Sequence, residues 1–116
     1  MAVQLAVNAN SARTFRWAEI SISTAGDHII IATPVATTIN IVHLTIQNVG
    51  GVQMQMQMLD GTLPINGTGF SLNPHSGYTY DSPDGSAPIT LTFETPFIIN
   101  TTPAGAVMGL VVYYLA

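Results

Sequence analysis

A strict alternation of apolar and polar residues is the feature that most constrains the fold of this chain. It is clearest from Val52 to Met58, where a valine and three methionines alternate with three glutamines. Successive side chains of a β-strand point to opposite faces, so a period of two indicates a strand. Turn signals at Gly50-Gly51 and Asp60-Gly61 bound this segment. No helical period extends beyond a few residues, and the sequence therefore predicts an all-β protein.

Similar patterns recur along the chain between glycine and proline turns. Further strands are predicted over residues 16–23, 28–32, 38–49, 69–72, 77–80, 89–93, 97–100 and 106–115. About eight short strands with this spacing are typical of a sandwich or a barrel. Residues 1–14 lack a clear period and are predicted to form an N-terminal arm before a single domain of residues 15–116.

Two segments have patterns with specific structural meaning. Within 38–49 the apolar phase switches between Ile41 and Val42, which predicts a bulge or a strand that crosses between sheet faces. The last strand is apolar on both faces, which is expected of a strand covered on both sides. The stripe of Met54, Met56 and Met58 is interpreted as a pliable core.

The low charge content limits the function. Only 7% of residues are charged, against about a quarter in an ordinary soluble domain. Arg13 and Arg16 are the only basic residues, too few to neutralise a run of phosphates, so nucleic-acid binding is excluded. The longest apolar run, Val107 to Leu115, is far shorter than the roughly 18 residues of a spanning helix, so no membrane association is expected.

The chain has too few charged residues to cover its own surface. The simplest physical account is that much of the surface faces other copies of the chain or another protein. Charges that would discourage association at a sheet edge are also absent from the strand face formed by Gln53, Gln55 and Gln57 and from the final strand. The predicted partner-contact residues are Leu5, Val7, Phe15, Arg16, Trp17, Val111 and Tyr113.

No residue pattern indicates catalysis or a metal site. His28, His43 and His75 have no ligand spacing, and the chain has no cysteine. Asp81 and Asp84 lack the further carboxylates of a calcium loop, so a turn is the favoured interpretation. The two glutamates, at positions 19 and 94, are not accompanied by signs of a cleft. The sequence therefore predicts a protein that is not an enzyme and binds no cofactor.

Several segments, in this order, resemble small virion proteins of tailed phages. They are residues 18–23, 25–32, 39–44, 58–64, 70–72 and 104–114, and the resemblance extends over residues 18 to 115. The run from Gly26 to Ala32 is similar to a turn and strand that these proteins often show. Where family members often carry basic residues before the third strand, this chain has Thr37-Thr38.

The resemblance implies a jelly-roll β-sandwich that forms a homotrimer. It further implies a partner, the major capsid protein, and a location on the capsid surface, where the trimer would decorate and stabilise the shell. Two alternatives stay open: a structural component of a phage tail or fibre, and a carbohydrate-binding module. In the latter, an aromatic face would bind sugar, with the candidates Trp17, Tyr78, Tyr80, Tyr113 and Tyr114.

Overall fold

The computed structural model describes residues 13–82 and 87–116, and these residues form ten β-strands and no helix. The strands are β1 (Arg16–Ile22), β2 (Gly26–Ile31), β3 (Ile39–Asn48), β4 (Met54–Asp60), β5 (Leu63–Pro64), β6 (Phe70–Leu72), β7 (Gly77–Asp81), β8 (Ile89–Thr90), β9 (Phe97–Thr102) and β10 (Val107–Leu115). Within the described ranges, therefore, no helix could cross a bilayer. The all-β prediction is confirmed.

The strands form two five-stranded antiparallel sheets that pack as a sandwich. The front sheet has the order β1-β10-β3-β7, and β8 also pairs with β3. The back sheet has the order β2-β9-β4-β5, and β6 also pairs with β4. Strands from the first half of the chain pair with strands from the second half, β1 with β10 and β2 with β9. This is a long antiparallel ribbon rolled into two sheets, and the jelly-roll prediction is confirmed.

The core lies between the sheets and follows the predicted alternation. On β1, Ile20 and Ile22 are buried, whereas Trp17, Glu19 and Ser21 are exposed. The three alternating methionines of β4 are buried in the same core, so their interpretation as core residues is confirmed. The other large side chains with no exposed surface include Ile39, Ile41, Leu44, Ile46, Phe97, Ile99, Val107 and Val111.

The phase switch in β3 is a bulge. His43 lies opposite Val112 of β10, but the next paired position places Ile41 opposite Tyr113, so Val42 is an extra residue on β3. The bulge lets both halves of this strand direct isoleucine and leucine side chains into the core.

Other predictions need correction. The final strand lies at the centre of the front sheet, between β1 and β3. Among the described residues its inner face is covered by the core, and its outer face is covered mainly at Tyr114, by Phe15 and Arg13. The glutamines of β4 also belong to a central strand, so neither segment is a sheet edge. The strand predicted over 89–93 ends at Thr90, because the carboxylate of Asp60 accepts hydrogen bonds from the backbone N–H and the hydroxyl of Thr92.

Gly109 allows the two central strands of the front sheet to approach closely. A Cβ atom on this residue would lie 1.9 Å from the carbonyl oxygen of Thr45. That oxygen belongs to the backbone of β3, which is held between β10 and β7 and cannot move aside easily. The glycine that interrupts the apolar run is thus a requirement of strand packing.

We expect Gly109→Ala to lower the free energy of unfolding by at least about 1–3 kcal/mol, the usual cost of overpacking. Urea denaturation of the purified variant measures this change. Gly51→Ala is the matched control, since a Cβ there meets nothing within 4 Å, and it should raise the free energy of unfolding by roughly 0.4–1 kcal/mol through the unfolded state. Equal effects of the two substitutions would contradict the close approach of β3 and β10.

Candidate functional site

The outer face of the front sheet has an apolar stripe along β10, with the exposed Glu19 and Ser21 of β1 on one side of it and a polar half along β3 and β7 on the other. Met108, Leu110 and Val112 of β10 alternate with buried or inward positions and point outward. Trp17 of β1 lies opposite Val112 and is 69% exposed. On the other side of β10, the register places His43 opposite Val112 and Thr45 opposite Leu110. An uncovered apolar stripe therefore runs along the middle of a sheet whose far side is polar.

The end of this stripe at Leu110 and Val112 forms a shallow apolar groove. It is about 390 Å³ in volume and is lined by Phe15, Arg16, Trp17, Leu110 and Val112. The ring of Phe15 packs edge-on against Tyr114, with the centroids 5.8 Å apart. The Arg13 guanidinium lies 4.6 Å from the centroid of the same tyrosine ring. Arg13 and Phe15, just before β1, thus lie against the end of β10. Arg13 and Arg16, the two arginines of a chain without lysine, are both at this end.

The polar half contains a row of three hydrogen-bonded side chains. His43 Nδ1 lies 3.2 Å from Asp81 Oδ1, and His43 Nε2 lies 2.8 Å from Thr45 Oγ1. With its proton on Nδ1, the imidazole donates to the carboxylate and accepts from the hydroxyl. The row joins β3 to β7 across the sheet, so it ties two neighbouring strands together.

The other histidines also serve the local backbone structure. His28 Nε2 lies 2.8 Å from the carbonyl oxygen of Thr24. The backbone N–H of His75 donates to the carbonyl oxygen of Asn48 at 2.8 Å. Among residues 13–82 and 87–116, no three His, Asp or Glu side chains come together in a way that could hold a metal ion. Asp84, named above with Asp81 for the calcium alternative, lies outside the described residues.

A second exposed feature is a tip formed by residues 35–37 and 92–95. Val35 is 85% exposed and Phe93 is 58% exposed. Ala36 and Glu94 have positive φ angles of 54° and 52°, a left-handed conformation that costs a non-glycine residue about 1–2 kcal/mol. Such strain persists only where the surrounding structure imposes it, and it is concentrated at functional sites.

The two segments of the tip hold each other in place. The N–H of Ala36 donates to Glu94 Oε2 at 2.9 Å, and the N–H of Glu94 donates to the carbonyl oxygen of Thr37 at 2.9 Å. Asp60 anchors the second segment through Thr92, with its carboxylate 2.6 Å from the hydroxyl oxygen. The two exposed apolar side chains are therefore presented by a rigid support.

The structure brings only part of the predicted contact set together. Phe15, Arg16 and Trp17 line the apolar groove. Val111 is fully buried in the core of its own chain and offers no surface, and Tyr113 packs partly buried against that core. Leu5 and Val7 lie outside the described residues. The outward residues of β10 are instead its even-numbered ones, because the inner face takes the odd-numbered ones as far as Tyr113.

Sequence reasoning missed the tip. The only local signals are the Thr33-Pro34 and Thr95-Pro96 dipeptides, which mark loops without showing that the loops meet. Alternation placed Phe93 in a strand, and nothing in the composition of these loops indicates a left-handed Ala36 or Glu94.

The aromatic residues proposed for sugar binding do not share an exposed face. Tyr114 is buried, and Tyr78, Tyr80 and Tyr113 pack partly buried against the core. Tyr78 stacks at a tilt on Phe70, with the centroids 5.0 Å apart, and the hydroxyl of Tyr80 donates to the carbonyl oxygen of Ala87. Of this set, Trp17 alone is an exposed platform.

The chain is similar to several solved structures. A protein in the acid-stable capsid structure of the Helicobacter pylori bacteriophage KHP30 is 13% identical, with a TM-score of 0.55 over 89% of this chain and 88% of that one. PirA has a TM-score of 0.47 at 13% identity, over 84% of this chain and 92% of its own. A chain in the capsid asymmetric unit of cyanophage Pam1 has a TM-score of 0.41 at 13% identity, over 90% and 85%. At these identities the likeness concerns the fold alone.

No protein-family model and no curated protein matches the sequence.

We expect Ala36→Gly to raise the free energy of unfolding. Glycine adopts the left-handed conformation freely, and this relief of about 1–2 kcal/mol exceeds the roughly 0.4–1 kcal/mol that glycine costs through the unfolded state. Urea denaturation measures the change. Ala32→Gly is the control: Ala32 is exposed and has no positive φ, so that variant should lose stability. A loss in both variants would show that the tip is not strained.

Proposed function

We propose that this protein is a structural component of a virion. In this proposal it forms a homotrimer, binds the assembled shell through the major capsid protein at the capsid surface, and stabilises the shell without chemistry of its own. The resemblance of residues 18–115 to small tailed-phage virion proteins supports this proposal. The jelly-roll fold that the chain shares with a KHP30 capsid protein is consistent with it.

The observation that carries the proposal is the uncovered apolar face of the front sheet. Met108 is 47% exposed and Trp17 is 69% exposed, and both lie on one face beside Leu110 and Val112. Exposing this stripe to water is unfavourable at about 25 cal/mol per Å² of apolar area. With only 7% charged residues in the whole chain, the rest of the surface does little to keep copies apart. A permanent assembly would cover such a face.

The stabilisation of the shell follows from the thermodynamic linkage between binding and shell assembly. A protein that binds only the assembled shell stabilises it by mass action, by about 2.7 kcal/mol per site at a free concentration of roughly a hundred times the Kd. Summed over many sites, weak contacts of this kind would resist heat or internal pressure.

The proposal predicts that shells lose thermal stability when the protein is removed and regain it when the protein is added back. The particles are stripped, their disruption temperature is measured by light scattering, and purified protein is then titrated in. Met108→Ser, which removes the exposed apolar side chain at the other end of the stripe from the groove, should rebind less well, and Ile29→Ser on the back sheet should rebind normally. Rebinding without any gain in disruption temperature would favour a tail or fibre component instead.

Salt provides a second arm of the same experiment. Since the face is apolar and the chain has only two basic residues, rebinding should weaken little as salt is raised, because screening acts on charges. A strong loss of binding in salt would show that the shell is contacted through Arg13 and Arg16 rather than through the stripe.

A further inference from the structure

We infer that the apolar groove of one copy receives the tip of a second copy, so that the chains associate head to tail around a closed ring. The groove is formed by Phe15, Arg16, Trp17, Leu110 and Val112, and the tip by residues 35–37 and 92–95, with Val35 and Phe93 at its surface. This inference rests on the self-association in the proposed function and names the surfaces that make it.

The groove and the tip lie close together but do not fill each other within one chain. Arg16 lines the apolar groove and also the adjacent depression, whose other wall includes Val35. Yet Val35 is 85% exposed and Trp17 is 69% exposed, so neither side chain is covered by the other. Each surface is therefore open to a partner, and both are at one end of the molecule, where several copies could gather around an axis.

The two surfaces are complementary in charge. The groove carries the cation Arg16 beside its apolar walls, and the tip carries the exposed carboxylate of Glu94 beside Val35 and Phe93. Since the chain has only two basic residues, both next to the groove, no other part of its surface offers an arginine or lysine to a carboxylate. An exposed ion pair contributes little affinity, so its role here is to orient the apolar contact.

The tip is already organised for insertion. Its two segments are joined by the Ala36–Glu94 and Glu94–Thr37 hydrogen bonds and anchored by Asp60, so little conformational entropy remains to be lost on binding. The backbone strain at Ala36 and Glu94 is accounted for in this way, because it directs two apolar side chains outward from a fixed support.

A contact between two different surfaces is heterologous, and such contacts form rings when the rotation between copies closes. Each copy then uses its groove once and its tip once. A ring of three is the form that the proposed function requires. It leaves the other end of the β10 stripe, at Met108, available to bind the shell.

Complementary variants test this arrangement. Val35→Asp disables the tip but leaves the groove intact, and Trp17→Asp disables the groove but leaves the tip intact. Size exclusion with light scattering should give a closed ring for the unaltered protein, three chains in mass, and a monomer for each variant alone. An equimolar mixture of the two variants retains one working pair of surfaces and should give a dimer of one copy of each.

Matched controls separate this contact from general loss of apolar surface. Val52 and Ile29 are 49% and 66% exposed and belong to neither surface, so Val52→Asp and Ile29→Asp should leave the ring intact. The inference is overturned if the mixture stays monomeric, if either contact variant alone still forms the ring, if a control also dissociates, or if the unaltered protein is a monomer at micromolar concentration.

Cross-linking gives a readout that does not depend on tolerance of a buried charge. Because the chain has no cysteine, Val35→Cys and Trp17→Cys introduce single thiols, which an added disulfide oxidant can join. The mixture should yield a cross-linked dimer, whereas each variant alone should yield much less. Equal cross-linking of one variant with itself would demonstrate a symmetric contact and overturn the inference. A ring that forms as described but does not bind shells would refute shell binding and leave the inference standing. A trimer that binds and stabilises shells but persists in Val35→Asp and Trp17→Asp would refute the inference alone.

Discussion

The antiparallel pairing of β3 with β10 holds the front sheet together. It runs from Asn48 opposite Val107 to Ile39 opposite Leu115, and so joins segments far apart in the chain. The loop-closure entropy of such a contact is lost before its hydrogen bonds and burial compensate for it. Among the described strands, β1 pairs only with β10, and β7 and β8 pair only with β3, so the front sheet is built on this one ladder.

A buried asparagine connects that ladder to the back sheet. Asn48 has no exposed surface, and its amide nitrogen donates to the carbonyl oxygens of Val52 at 2.7 Å and Leu72 at 3.0 Å. Its side-chain oxygen accepts the N–H of Gly50 at 3.1 Å. A fully bonded amide in the interior favours one chain path, because any other path would leave polar groups without partners. It specifies how the chain leaves β3 and reaches β4, and thereby how the sheets are joined.

The surface features follow from the same arrangement. β10 is apolar on both faces, but the second sheet covers only its inner face, so Met108, Leu110 and Val112 remain outside. Among residues 13–82 and 87–116 no other element covers them, and Arg16 lies at the Val112 end of the same stripe. Next to the groove, at the same end of the sandwich, the tip presents two more exposed apolar residues, Val35 and Phe93. In a monomer both apolar surfaces are exposed to water, whereas an assembly can bury both.

The β-class, the sidedness of most strands and an irregularity in β3 could be predicted from the sequence, because a period of two and its phase are local properties of the backbone. The pattern left a bulge and a face-crossing strand open, and the register shows the bulge. The core role of Met54, Met56 and Met58 followed from the same alternation, and the low charge indicated association. The sequence did not reveal which strands are neighbours, that Val111 faces inward or that Phe93 leaves its strand for the tip. These depend on pairing between distant segments: the position of Asp60 ends β8, and the contact with Glu94 holds Ala36 at a positive φ, neither of which a local pattern can record.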